Sequence, residues 1–193
     1  MTDTHAQITS DQTSTVKGTI SNMTLGLVAG FGAVVLTTAW VVTARAETTS
    51  VPDVLRSHRL SAMLAAEIAS EVLASCSRQG YTETAVVVDA NGRPQVMLRG
   101  DGAGPHTLDS ANNKAYTAAS FKNDTSKLAA QAKQSPEFAA IFSLPHLLPA
   151  GGGLVIKIGD EIIGAVGAAG APGFNLDEAC ARAGIDKVRD RLR

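Results

Sequence analysis

The stretch Met97 to Phe121 reads MLRGDGAGPHTLDSANNKAYTAASF, and the fold is decided by how it is divided. An apolar, strand-like run ends at Arg99. Gly100-Asp101-Gly102-Ala103-Gly104-Pro105-His106 is too rich in glycine for the interior of a helix or strand. A helix is expected to start around Thr107–Asp109, where hydroxyl and carboxylate side chains can cap its free N–H groups. On that helix Ala111, Ala115 and Ala118 share one side, and Lys114, Thr117 and Phe121 share another. A backbone-exposing loop that feeds a helix N-terminus suits an anionic ligand. It equally suits a plain strand-to-helix connection.

Moving outward, Leu60, Leu64, Ile68, Val72 and Cys76 recur every four residues and predict a first helix with one apolar face, ended by Gly80. Glu67 and Glu71 flank that face, as a solvated acidic edge or a cation site. Thr84–Val88 is a β-branched run, Asp89–Pro94 a turn, and Gln95–Arg99 the return strand of a hairpin. Asp124-Thr125-Ser126 is expected to cap a short helix through Gln131, with Pro136 opening another turn. Leu154–Ile158 and Glu161–Ala168 form a second hairpin about Gly159-Asp160. Leu176, Cys180, Gly184, Val188 and Leu192 place a four-residue stripe on a C-terminal helix. Two hairpins among helices imply an α+β fold, an antiparallel sheet covered by helices.

The chain has 193 residues and a net charge of −1, so nothing in it resembles the basic stripe of a nucleic-acid-binding protein. Apolar residues make up 45% but aromatics only 4%, so the core must be built from Ala, Val, Leu and Ile. Residues 1–22 are a polar tail that cannot bury a core. Residues 23–46 are nearly all apolar and end in Ala44-Arg45-Ala46, a cleavage pattern. The segment reads as an export signal peptide, or as an uncleaved signal anchor, since it is long enough to span a bilayer. Either way the folded domain, 47–193, is expected outside the plasma membrane. Cys76 and Cys180 can form a disulfide in that compartment or remain two buried thiols. Covalent c-type haem attachment and zinc spacing are both lacking.

Of the four histidines, His5 lies in the tail and His58 precedes the first helix. His106 and His146 lie in loops. Imidazole is a common axial ligand of haem iron. His146, between Pro145 and Leu147-Leu148, combines such a ligand with apolar surface. His106, beside Gly102 and Gly104, is the rival. Arg99, Lys114 and the amides around Gly102 are candidates to hold carboxylates, with Thr117 an oxygen donor for iron if neither histidine serves. The alternatives are a helix-surface charge for Lys114 and an ion pair with Asp101 for Arg99. Gly164-x-x-Gly167-x-x-Gly170 has the wrong spacing and context for nucleotide binding, and Ser110 and Ser120 lack a nucleophile elbow.

The DGAG…NKAYTA…F run, Pro149-Ala150-Gly151-Gly152-Gly153, the run Gly164–Gly173 and Asp177–Ile185, in this order, resemble the GlcG/HbpS family of haem-binding and haem-degrading domains, over roughly Val54 to Leu192. The resemblance implies a profilin-like sheet of about five antiparallel strands with helices on its faces, assembled as a homo-oligomer. It implies haem b, held noncovalently for sequestration, redox or haem sensing, or oxidative degradation under oxidative stress. His146 is then the first choice for the iron ligand. The expected position outside the membrane also allows a reading as an oligomeric interaction protein that signals to a membrane sensor partner. The family name's link to glycolate also leaves a second reading, an enzyme or binding module for a hydroxy-acid-like metabolite.

Overall fold

The computed structural model describes residues 56–193. The polar tail, the apolar segment with its export reading, and His5 lie outside them. Helix α1 spans Ala62–Ser77, strands β1 and β2 Thr84–Asp89 and Pro94–Arg99, and helix α2 His106–Phe121. Helices α3 (Thr125–Gln134) and α4 (Pro136–Ala140) follow, then a 3₁₀ turn at Ile141–Ser143. Strands β3 (Gly153–Ile158) and β4 (Glu161–Ala169) lead into α5 (Phe174–Val188).

The strands form one antiparallel sheet in the order β2-β1-β4-β3. Both expected hairpins are present, and β1 and β4 pair at the centre, with Val86 opposite Gly167. The described residues supply four strands where the family resemblance implies about five.

Side chains of the sheet alternate between two cores. Ala85, Val87, Leu154, Ile156, Val166 and Ala168 pack with Ile68, Val72, Cys76, Cys180 and Val188 of α1 and α5. Val86, Val88, Ala165 and Ala169 pack on the other face with Ala111, Ala115, Ala118 and Ala119 of α2. That is why Ala-Val-Val-Val of β1 carries no polar alternation: helices cover both faces. The alanine face of α2 lies so close to the sheet that a Cβ at Gly167 would collide with the Ala111 carbonyl oxygen. The Gly-rich run of β4 therefore serves packing inside the domain.

Several local expectations are corrected by tertiary contacts. Cys76 and Cys180 are joined as a disulfide between α1 and α5, and are not two free thiols. Thr107 does not cap α2. Its hydroxyl lies 2.6 Å from that of Thr84 and donates to the Gly104 carbonyl. Asp124 likewise makes no side-chain cap to α3. Its carboxylate accepts from the Val155 N–H at 3.2 Å and from Lys127 Nζ at 2.9 Å, tying the helix to β3. Glu67 and Glu71 form ion pairs with the guanidinium groups of Arg191 and Arg78, each at 2.6 Å. Among the described residues no group of three or more His, Cys, Asp or Glu is placed to hold a metal ion. Nor is any helix there long and apolar enough to cross a membrane.

Candidate functional site

The candidate residues are distributed along α2. At its N-terminal end, β2 delivers Arg99 to the surface, Gly102 turns the loop with φ 82°, and His106 begins the helix; all three are exposed. Among the described residues Arg99 makes no ion pair, so the expected partnership with Asp101 is not formed. At roughly 1.5 Å per residue, Thr117 lies about 16 Å further along the helix axis from His106. The two ends of α2 therefore carry two separate groups of candidates.

Between them Lys114 is 0% exposed. Its ammonium donates to Asp177 Oδ2 at 2.6 Å and to the Ala168 carbonyl at 2.9 Å, and lies 5.0 Å from the centroid of the Phe174 ring. Neither a surface charge nor a haem-carboxylate contact fits a side chain so enclosed and so fully engaged, which corrects both readings of Lys114. Asp177 accepts a further hydrogen bond from the Ala171 N–H at 3.0 Å. The glycine run before β3 makes room for this pair. A Cβ on Gly152 would stand 2.9 Å from Asp177 Cβ and 3.0 Å from Lys114 Nζ, and its φ of 112° already favours glycine.

Glu83, also buried, completes the network. Burial first, then the nearby Asp177 carboxylate, push its carboxyl up to about 8, against a weaker opposing pull from Lys114. Its Oε2 lies 3.2 Å from Cys76 Sγ, while Oε1 has no partner. A disulfide sulfur carries no proton, so only a protonated Glu83 can donate in that contact. Sequence reasoning missed both carboxylates. Asp177 looks like an ordinary acid in the first turn of a helix. Glu83 was the legible signal, an acid flanked by threonines at the entry to a fully apolar strand.

At the C-terminal end of α2, Thr117 is buried. Its hydroxyl donates to the Asn113 carbonyl at 2.7 Å and accepts from the Leu148 N–H at 2.8 Å. It thus pins the 143–149 loop instead of offering a free oxygen. In that loop the Leu147 N–H returns to the Leu144 carbonyl, Pro145 takes the first central position of the turn, and His146 takes the second with φ 68°. A left-handed residue after proline is the type II pattern, which glycine or asparagine usually fills. Here the imidazole is held out in solvent beside Leu144, which is 56% exposed, and near Ile141. Phe142, in the 3₁₀ turn that precedes the loop, packs with Phe121 and Phe138, with ring centroids 5.2 to 6.0 Å apart. An unengaged imidazole on an apolar, proline-stiffened ledge is a donor set suited to haem iron.

Fold and site together define a small α+β domain, a helix-clad antiparallel sheet whose exposed ligand-type side chains cluster near the two ends of one helix. Residues 60–186 match the family model described as haem degrading protein HbpS-like, and the chain belongs to that family. The crystal structure of HbpS is 35% identical, with a TM-score of 0.66, over 70% of this chain and 94% of that one. A double mutant of Streptomyces reticuli HbpS matches at 35% identity and TM-score 0.66 over 72% and 93%. A haem complex of PduOC, at 22% identity and TM-score 0.62 over 67% of this chain and 94% of that one, shares the fold. The curated proteins contain no match to the chain.

Proposed function

We propose that this protein binds haem b noncovalently outside the plasma membrane, with His146 as the axial ligand to iron. The observation that carries this reading is the left-handed, solvent-facing His146 beside exposed Leu144. A backbone conformation that costs an L-residue energy here presents an imidazole. Thr117 fixes the loop through the Leu148 N–H. Pro145 reduces the entropy lost when the ring is immobilised. When bound, haem would supply the redox chemistry of oxygen- or peroxide-dependent degradation, and the protein would orient it and limit water. Arg99, Gly102 and His106, at the far end of α2, are not needed to hold the iron. Export is supported by the apolar 23–46 segment with its Ala44-Arg45-Ala46 pattern and by the Cys76–Cys180 disulfide, which suits an oxidising compartment. A homo-oligomer is the assembly that the family resemblance implies, and light scattering checks it. A membrane sensor is the partner that an exported haem binder would reach.

Titration of the full chain with haemin tests the reading. A saturable Soret shift at micromolar protein is expected, and none would refute it. His146→Ala should move the Soret band and weaken affinity about tenfold, on the scale of a perturbed metal shell. His106→Ala should leave the spectrum unchanged. The reverse pattern would place the iron at the Gly-rich loop. Stabilisation by small hydroxy acids and none by haemin would favour the metabolite reading.

A further inference from the structure

A cavity of 490 Å³ lies where the segment before α1 meets the β1–β2 turn and the end of α2. Its wall carries Arg59, Arg93 and Lys122 against one carboxylate, Asp89. That carboxylate is already engaged, because Asp89 Oδ1 accepts the N–H groups of Asn91 and Arg93 at 2.8 and 3.0 Å. The neighbouring carboxylate, Glu161, is held by the backbone N–H and the ring of His58 at 2.8 and 2.6 Å. Among the described residues none of the three cations forms an ion pair. With three cations against the Asp89 carboxylate, the cavity lining carries surplus positive charge.

The wall is also built rigidly. Gly92, at the tip of the turn, is seated against α2 so closely that a Cβ would stand 2.7 Å from the Tyr116 ring. Lys122 is the residue that closes α2, and it does so with φ 55°, where glycine is the usual choice. Its ammonium spans to the Ala90 carbonyl at 3.0 Å, on the same turn. A strained lysine in a glycine position, aimed along the wall of a cationic cavity, is a costly arrangement for stability alone.

We infer that this cavity binds a small organic phosphate. Two guanidinium groups can each hold a phosphate through paired N–H bonds, the ammonium adds a point charge, and the volume exceeds that of the bare ion. The inference does not rest on the haem reading and concerns different residues.

Thermal melts of the full chain with inorganic phosphate and with glycerol phosphate, against chloride at matched ionic strength, provide the test. Both phosphates should raise the melting temperature saturably, glycerol phosphate at the lower concentration. Arg59→Gln with Arg93→Gln should abolish the shift. Lys122→Gly should raise the melting temperature without ligand, by relieving the left-handed backbone, yet weaken phosphate binding about tenfold, the loss of one charged contact. No saturable shift, or a shift unchanged in the double variant, overturns the inference. So does loss of the haemin Soret titration in the double variant, since the cations would then be serving haem carboxylates.

Discussion

Lys114 and His146 both look like ligand residues in sequence, and the fold treats them in opposite ways. Lys114 is sealed between α2, β4 and α5, with its ammonium hydrogen-bonded to Asp177 and Ala168. His146 sits on a proline turn with its ring in solvent and its backbone in a glycine-type conformation. A buried charge must be matched within the protein or it destabilises the fold. An exposed, strained imidazole contributes nothing comparable to the fold and is free to meet a ligand. Similar-looking polar residues thus separate into a structural centre and a presented donor according to which face of the architecture receives them.

The difference can be broken experimentally, most severely at the centre. Lys114→Met leaves the buried Asp177 uncompensated and should cost roughly 3–5 kcal/mol in denaturant melts. Lys114→Met combined with Asp177→Leu should recover much of that loss. A stable Lys114→Met protein with weakened haemin binding would instead return Lys114 to the ligand site. Replacing Cys76 and Cys180 by serine together should cost roughly 2–5 kcal/mol, since the bridge closes a sequence separation of 104 residues. Melting that is indifferent to reductant would restore the free-thiol alternative.

Glu83 gives a pH signature of the same centre. Folded, it keeps its proton up to about 8, whereas the unfolded chain releases it near 4.5. Between these values the folded state binds the extra proton, so stability falls as pH rises, and the loss is complete above the upper value. Glu83→Gln removes this dependence. The variant should gain stability over the parent through that window, on the order of a few kcal/mol, and the gain should level off above it. A gain that does not change with pH would mean that Glu83 is ionised in the folded protein. The smallest effect belongs to the loop. His146→Gly should stabilise the protein by up to about 1 kcal/mol by removing left-handed strain, while moving the Soret band as His146→Ala does. A loss of stability would show that the imidazole is structural.

Much of the fold was legible from local pattern. The four-residue stripes of α1 and α5 and the two hairpins about Asn91-Gly92 and Gly159-Asp160 were placed within a few residues, because period and turn chemistry are local. Capping was misread at Thr107 and Asp124, because their side chains are recruited by Thr84 and Val155, partners distant in sequence. Pro145 stiffens its loop legibly, but nothing local says that His146 adopts a left-handed backbone, where glycine or asparagine is usual, or that it faces solvent.

The sequence by itself determined the α+β class, the element order and the small-residue core, since these follow from periodicity, turn residues and a shortage of aromatics. It also contained every residue of the candidate site. Only the tertiary structure decided which of them are available. Crossing α2 over one face of the sheet at glycine-permitted distance encloses Lys114 with Asp177, and packing α1 beside α5 on the other face brings Cys76 to Cys180. The same crossing leaves the two ends of α2 open, because burial and charge pairing are set by neighbours that the chain brings together from far apart.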